Sequence, residues 1–122
     1  MTDKYQNMTA LQLGTSIGAG ETDPVELAEY FLTRIEQLDP DNKVFITPTR
    51  DRAIAEATAA RARAQSGLRQ SPLDGVPMSW KDLVDSAGTP TTGASELFRQ
   101  RVPTRDALIL ARCTRAGLVC LG

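Results

Sequence analysis

The last third of the chain alternates between strand-like and helical patterns, and this order constrains the fold more than any other feature. Residues 118–121 form a continuously apolar run, Leu-Val-Cys-Leu, which is typical of a parallel strand buried on both faces. Residues 105–116 place their apolar side chains on one helical stripe, with Thr104 positioned to cap the helix and Asp106 to complement its dipole. Residues 78–81 predict a brief strand before that helix. A strand, a helix and a second strand in this order predict a right-handed β-α-β unit and an α/β fold.

The first part of the chain predicts helices. Thr9 is a good N-cap for a short amphipathic helix that reaches Ile17. Asp23 followed by Pro24 is a stronger start signal, because aspartate caps well and proline suits the first helical position. The apolar residues after Pro24 recur at helical spacing until the chain reaches Asp39, where we expect the helix to end.

Further along, residues 44–47 form a short strand-like run, and residues 51–66, rich in alanine and arginine, predict a third helix. A chain of this length supports one modest core. We therefore expect a single domain portion over residues 1–122, with a helical part at about 9–66 and the start of a sheet core at about 73–122.

Charge and hydropathy exclude two classes of partner. The net charge is −1 and the pI is about 5.4, so no basic field attracts nucleic acid or an anionic membrane surface. We interpret Arg61, Arg63 and Arg69 as a solvated helix surface. The polar start of the chain has no apolar leader segment, and no later run approaches the roughly 20 apolar residues that span a bilayer. These features predict a soluble, cytoplasmic protein.

The chain contains no histidine, which limits the chemistry that it can perform. It cannot itself supply a Ser-His-Asp or Cys-His arrangement or an imidazole metal ligand, so a general base must be a lysine, a carboxylate or a tyrosine. Cys113 and Cys120 stand in apolar surroundings, which predicts buried, reduced thiols and not a metal or redox pair. We expect neither a metal nor an organic cofactor.

Residues 71–95, with the sequence SPLDGVPMSWKDLVDSAGTPTTGAS, carry the most specific pattern. A Gly-Val-Pro turn at 75–77 leads into a strand-like run that ends in Lys81 and Asp82, and a Gly-Thr-Pro-Thr-Thr loop follows at 88–92. This pattern resembles the N-terminal part of the amidase-signature family, and the resemblance extends over nearly all of the chain. It implies a partial amidase-signature fold, in which the N-terminal helices precede the first β-α-β unit of a mixed sheet with helices on both faces.

The resemblance implies enzymes that hydrolyse amides, or release ammonia from glutamine in amidotransferase members, with a serine, a second serine in a cis peptide and a lysine. Lys81 matches that lysine. A serine hydroxyl is a poor nucleophile until a base takes its proton, and an ammonium must first become neutral, which burial in a sheet core favours. Arginine could not replace it because a guanidinium stays protonated. We therefore assign Lys81 as the general base.

The loop after Lys81 contains the candidate substrate-binding residues. Thr92, Gly93 and Ser95 could bring backbone donors and hydroxyls to the rim of the site. Asp82 is expected to hydrogen-bond the backbone of the turn instead of acting in catalysis. The family often has glycine where this chain has Ala94, so a backbone conformation that relies on glycine is in question at that residue.

The family's Gly- and Ser-rich motif, which supplies both serines, does not occur in these 122 residues. Ser79, Ser86 and Ser95 do not stand in such a motif, so we assign none of them as nucleophile. The chain alone is predicted to be inactive and poorly stable, and to need a complementing C-terminal part or a second copy of itself, because its strands would expose sheet edges.

Three functions stay open. The first is an amidase that acts on a small-molecule amide. The second is the A-type subunit of a glutamine-dependent amidotransferase, which would need partner subunits and an ammonia acceptor such as a charged transfer RNA. The third is a non-catalytic, small α/β binding module.

Overall fold

The computed structural model describes residues 4–122, and within that range no helix is long and apolar enough to cross a membrane. The helical part consists of three helices. The sheet part contains two short strands, a 3₁₀ turn and a fourth helix. In chain order the elements are α1 (Ala10–Gly18), α2 (Pro24–Leu38), α3 (Arg50–Ser66), β1 (Pro77–Met78), the 3₁₀ turn (Glu96–Phe98), α4 (Leu108–Arg115) and β2 (Val119–Cys120).

The first two helices begin where their caps predict. The Thr9 hydroxyl accepts a hydrogen bond from the Gln12 amide at 3.2 Å, and the Gln12 side chain accepts one from the Thr9 amide at 2.7 Å. Asp23 accepts the amide of Val25 at 2.8 Å. These three hydrogen bonds satisfy amides that have no partner within their helix. The predicted starts of α1 and α2, and the end of α2 before Asp39, are confirmed.

α2 lies at the centre of the packing because both of its apolar faces are used. One face meets α3 and β2, and the small residues of α3 allow a close approach. The other face meets α1 and the residue before β1. The first cluster comprises Ala28, Leu32, Ile35, Ala53, Ala57, Val119 and Leu121. The second comprises Tyr5, Leu13, Ile17, Leu27, Tyr30 and Val76.

β1 and β2 are parallel neighbours, with Pro77 opposite Val119 and Met78 opposite Cys120. The ladder continues past β1, because the Trp80 amide donates to the Gly122 carbonyl at 2.8 Å. Since α4 lies between the two strands in the chain, the β-α-β order and the α/β class are confirmed. The first strand is shorter than the predicted 78–81.

Residues 44–47 are not a strand, contrary to the sequence-based expectation. The Asp39 carboxylate accepts the backbone amides of Lys43, Val44 and Phe45 at 2.7–2.9 Å. These hydrogen bonds hold the pKa of Asp39 below its ordinary value, with the Phe45 amide as the largest cause. Because a side chain has captured the amides that a ladder would use, the segment forms an irregular loop.

α4 begins at Leu108, later than the predicted residue 105, and no side chain caps it. Asp106 does not complement the helix dipole. Its carboxylate receives a pair of hydrogen bonds from Arg52, at 3.0 and 2.9 Å, and a third from the Ala87 amide at 2.8 Å. Tertiary contacts therefore override the local start signal.

The arginines near the end of α3 do not form the predicted solvated surface. Arg63 makes a paired contact with Asp74, at 2.8 and 2.7 Å, and Asp74 is only 1% exposed. Arg69 donates to the Asp74 carbonyl at 3.0 Å, and Arg61 donates to Asp23 at 3.1 Å. These side chains attach the loop before β1, and the start of α2, to α3.

Candidate active site

A cleft of about 460 Å³ opens where the chain leaves the carboxyl ends of β1 and β2. Ligands of open α/β sheets bind at this end of the strands. Four segments enclose it: the loop before α3, the segment that follows β1, the loop that precedes α4, and the end of β2. The lining residues are Val44, Phe45, Ile46, Thr47, Thr49, Ser79, Trp80, Lys81, Asp82, Leu83, Val84, Ser86, Thr89, Pro90, Thr91, Gly93, Ala94, Cys120 and Gly122.

Lys81 lies in the wall that follows β1. The Trp80 amide extends the hydrogen-bond ladder to Gly122, so Lys81 directly follows the last residue that bonds to the neighbouring chain segment. The Lys81 side chain is exposed to the cleft, and the described residues do not bury it as the sequence argument requires. Lys81 therefore lies in the wall of the cleft shortly after β1, and any burial of its amine has to come from a substrate or from further protein.

Asp82 connects the exit of β1 to the loop after it. Its carboxylate accepts the Thr92 amide at 2.8 Å and also the Thr92 hydroxyl, and its carbonyl accepts the Gly93 amide at 2.8 Å. Burial opposes ionisation of Asp82, but the Thr92 and Ala94 hydrogen bonds outweigh it, so its pKa lies below the ordinary value. The predicted role of Asp82, to hydrogen-bond the turn backbone, is confirmed.

The predicted substrate-binding residues do not all reach the cleft. Gly93 lines it together with Lys81. The Thr92 hydroxyl is committed to Asp82, and Thr92 is not part of the wall. Ser95 precedes the 3₁₀ turn and also lies outside the wall. Gly93 is thus the member of this set that a ligand beside Lys81 would contact.

Ala94 keeps the backbone conformation that glycine usually serves. Its φ is +56°, and that of Gly93 is +57°. A left-handed conformation costs a residue with a Cβ about 1–2 kcal/mol. The Asp82 contacts therefore hold a strained residue at the rim of the cleft.

The cleft contains two further groups that bear on chemistry. Burial raises the pKa of the Cys120 thiol, so the sulfur stays protonated and is a poor nucleophile at neutral pH. Cys120 is buried as predicted, while Cys113 is only half-buried, and both are free thiols. Within residues 4–122, no group of three or more potential metal-ligating side chains is present.

Arg52 organises the back of the cleft, and sequence reasoning missed it. Its guanidinium contacts Glu56, Ser86, Asp106 and Thr114 at 2.8–3.1 Å. These contacts raise the pKa of Arg52, with Asp106 as the largest cause. The available signal was the spacing of four residues between Arg52 and Glu56, which suits an ion pair on one helix. The other contacts come from segments far away in the chain.

Comparisons with known proteins show which family the chain resembles. Residues 26–122 match the family model described as Amidase. The chain is 36% identical over 115 residues to the A-type subunit of the glutamyl-tRNA(Gln) amidotransferase of Thermobifida fusca (strain YX), covering 94% of this chain and 23% of that protein. It is 40% identical over 111 residues to the protein of the same name from Anaeromyxobacter dehalogenans (strain 2CP-C), covering 91% and 23%.

Among solved structures, the native peptide amidase from Stenotrophomonas maltophilia superposes with a TM-score of 0.89 and 28% identity, covering 99% of this chain and 25% of that one. The chain thus spans about a quarter of the length of the relatives that it matches. The match to the family model covers most of the chain, and the fold of that part agrees with a solved peptide amidase. The chain belongs to the amidase family.

Proposed function

We propose that this chain is the lysine-bearing part of an amidase-type hydrolase that cleaves a carboxylic amide to an acid and ammonia or an amine. The observation that carries the proposal is the place of Lys81, at the mouth of a cleft at the carboxyl ends of two parallel strands. A lysine at that end of a sheet faces the region where ligands of such folds bind.

In the proposed mechanism, the neutral amine of Lys81 accepts a proton through a second serine, in a cis peptide, as the nucleophilic serine attacks the amide carbon. The proton then passes to the leaving nitrogen as the C–N bond breaks, and water hydrolyses the resulting acyl-serine to release the acid and restore the serine. Ser86 does not suit the nucleophile, because it is buried and its hydroxyl accepts a hydrogen bond from Arg52 at 3.1 Å. We place both serines in a part of the protein outside these residues, so this chain alone is proposed to be inactive.

Further protein over the cleft would also bury the Lys81 amine, which the described residues leave exposed. Lys81 is exposed here, and removal of water from its surroundings favours the neutral amine that a base requires. A complementing C-terminal part, which covers the mouth of the cleft, is therefore proposed as the partner of this chain.

A second candidate function is the A-type subunit of a glutamine-dependent amidotransferase. The observation that favours it is the naming of the relatives from Thermobifida fusca and Anaeromyxobacter dehalogenans as A-type subunits of a glutamyl-tRNA(Gln) amidotransferase. Under this alternative the amide is that of glutamine, and ammonia passes to an acceptor held by partner subunits.

The test uses the whole enzyme that contains this chain, with ammonia release from benzamide, hexanamide and glutamine as the assay. Lys81→Met and Lys81→Arg should each lower turnover by about 10²–10⁴-fold or more, because both remove the base. Lys43→Met is the matched control, since Lys43 is highly exposed, contacts Asp41 and does not line the cleft. Circular dichroism checks that each variant is folded.

Near-normal turnover in folded Lys81→Arg would refute the assignment. Ammonia release from glutamine that requires a glutamyl-tRNA acceptor, with no turnover of the other amides, would favour the amidotransferase over the hydrolase.

A further inference from the structure

We propose that Arg52 is a positioning residue for the cleft. It influences substrate affinity by holding two of the cleft walls in fixed positions relative to each other. The proposal rests on the proposed function, since it assigns the cleft to an amide substrate. Arg52 itself does not line the cleft. It acts through neighbours that do.

The guanidinium of Arg52 leaves none of its N–H donors without an acceptor. Nε donates to Glu56 at 2.8 Å. Nη1 donates to Ser86 and to Asp106 Oδ1 at 3.1 and 3.0 Å. Nη2 donates to Asp106 Oδ2 and to Thr114 at 2.9 and 3.1 Å. A planar fork that satisfies both carboxylate oxygens and two hydroxyls at once is specific to arginine, because a lysine ammonium is a point charge with fewer donors.

The first wall that Arg52 holds is the loop before α4. Ser86 lines the cleft and is 8% exposed. Asp106, which Arg52 orients, accepts the Ala87 amide at 2.8 Å. One hydrogen bond therefore holds the Ser86 side chain and the other holds the Ala87 backbone, at the start of the loop that presents Thr89 and Thr91 to the cleft.

The second wall is the end of β2. The Cys120 amide, on the edge of β2 that faces away from β1, donates to Glu56 Oε2 at 2.7 Å, while Glu56 Oε1 binds Arg52. Arg52 thus connects the strand that carries Cys120 to the loop that carries Ser86. The contact is half-buried, with side-chain exposures of 20% for Arg52, 18% for Glu56 and 20% for Asp106, so water competes with it only in part.

The test compares Arg52→Lys with Arg50→Lys in the whole enzyme. Arg50 is a matched control, because it starts the same helix and makes two ion pairs, at 2.6 and 2.8 Å, to Glu29 and Glu36 of α2, away from the cleft. We expect Arg52→Lys to lower kcat/KM about tenfold to a hundredfold, chiefly through a higher KM, because the walls contact the substrate before and during the reaction. Arg50→Lys should leave KM unchanged.

A second readout does not depend on turnover. Amide hydrogen exchange in the peptides that contain Ala87 and Cys120 should become about tenfold faster in Arg52→Lys and stay unchanged in Arg50→Lys. If Arg52→Lys does not fold, Asp106→Asn replaces it, since it keeps the shape of the side chain and removes the charge that binds Arg52.

Faster exchange together with a higher KM supports the proposal. Faster exchange with an unchanged KM overturns it, because Arg52 would then stabilise the fold without positioning the substrate walls. Unchanged exchange overturns it as well. A wild type that releases no ammonia from benzamide, hexanamide or glutamine counts against the proposed function instead, and exchange alone then decides whether Arg52 holds the walls.

Discussion

The contact between Arg63 and Asp74 tests how burial changes the contribution of an ion pair to the free energy of unfolding. Asp74 is 1% exposed, and its carboxylate accepts hydrogen bonds from Arg63 Nε and Nη2 and from the Gln70 amide, at 2.7–2.8 Å. Asp74→Asn keeps the size of the side chain. It removes the charge and turns one acceptor into a donor that faces other donors.

The expected loss follows from these contacts. Removal of one partner of a buried, hydrogen-bonded ion pair costs about 3–5 kcal/mol, because the other charge is left without compensation. The Arg63 side chain is 24% exposed and can recover some hydration, so we expect the lower end, about 3 kcal/mol. Against a typical free energy of unfolding of about 5–15 kcal/mol, this loss is large.

The assay is urea unfolding of the enzyme that contains this chain, followed by fluorescence of Trp80 where other tryptophans permit and by circular dichroism otherwise. With a typical urea dependence of about 1–3 kcal/mol per molar, the midpoint should fall by at least about 1 M. Asp85→Asn is the control. Asp85 makes the same paired contact with Arg101, at 2.7 Å twice, but at an exposed site, so solvent screens it and the change should be much smaller.

The pH dependence of the same experiment has a defined sign. Burial opposes ionisation of Asp74, but the contacts from Arg63 and Gln70 outweigh it, and its folded-state pKa is lowered. The unfolded value is about 3.9, so the stabilisation is complete above about pH 5 and is lost as the pH falls through the folded pKa. The difference in free energy of unfolding between wild type and Asp74→Asn should therefore be constant from pH 7 to about 5 and become smaller at lower pH. Equal losses in Asp74→Asn and Asp85→Asn, or a gap that shrinks as the pH rises, would refute the reasoning.

Four further substitutions test the backbone. Gly14→Ala should strongly lower the melting temperature, because an added Cβ would clash with the Pro72 carbonyl oxygen of the backbone. Gly18→Ala is the control and should be tolerated, because its Cβ meets only the flexible end of the Arg69 side chain, at 2.6 Å. Near-equal melting temperatures of the two variants would contradict this prediction. Ala94→Gly should raise the free energy of unfolding by up to about 1 kcal/mol as strain at φ +56° is relieved. Gly93→Ala should lower it by about 1–2 kcal/mol, measured in urea, for the converse reason.

The elements that sequence reasoning predicted correctly are those whose determinants are local. Thr9 and Asp23 cap helices through amides two or three residues away, and Val119–Cys120, within the apolar run at 118–121, form a buried strand as the pattern predicts. In each case neighbouring residues in the chain contain the whole signal.

The features that could not be predicted depend on side chains that bind groups outside their own helix or strand. Residues 44–47 lose their strand character to Asp39, which lies in an adjoining turn. α4 starts later in the chain than predicted, because the Asp106 carboxylate binds Arg52, which is 54 residues away in the chain, and does not cap the helix. No periodicity reports such pairs, because a carboxylate that accepts a distant amide looks like any surface aspartate in the sequence.

These carboxylates share one property that bears on a lysine-based mechanism. Asp39, Asp82 and Asp106 each hold a wall of the cleft by accepting backbone amides, and the pKa of each is lowered. The walls therefore depend on groups that are ionised throughout the neutral and alkaline range, and the chain contains no histidine to titrate between them. A scaffold of ionised carboxylates therefore keeps its charge state from neutral to alkaline pH. For the proposed enzyme, we expect the cleft walls to lose these hydrogen bonds, and activity to fall, only at acid pH, where the carboxylates become protonated. A change in kcat/KM between neutral and alkaline pH would then not come from protonation of these carboxylates.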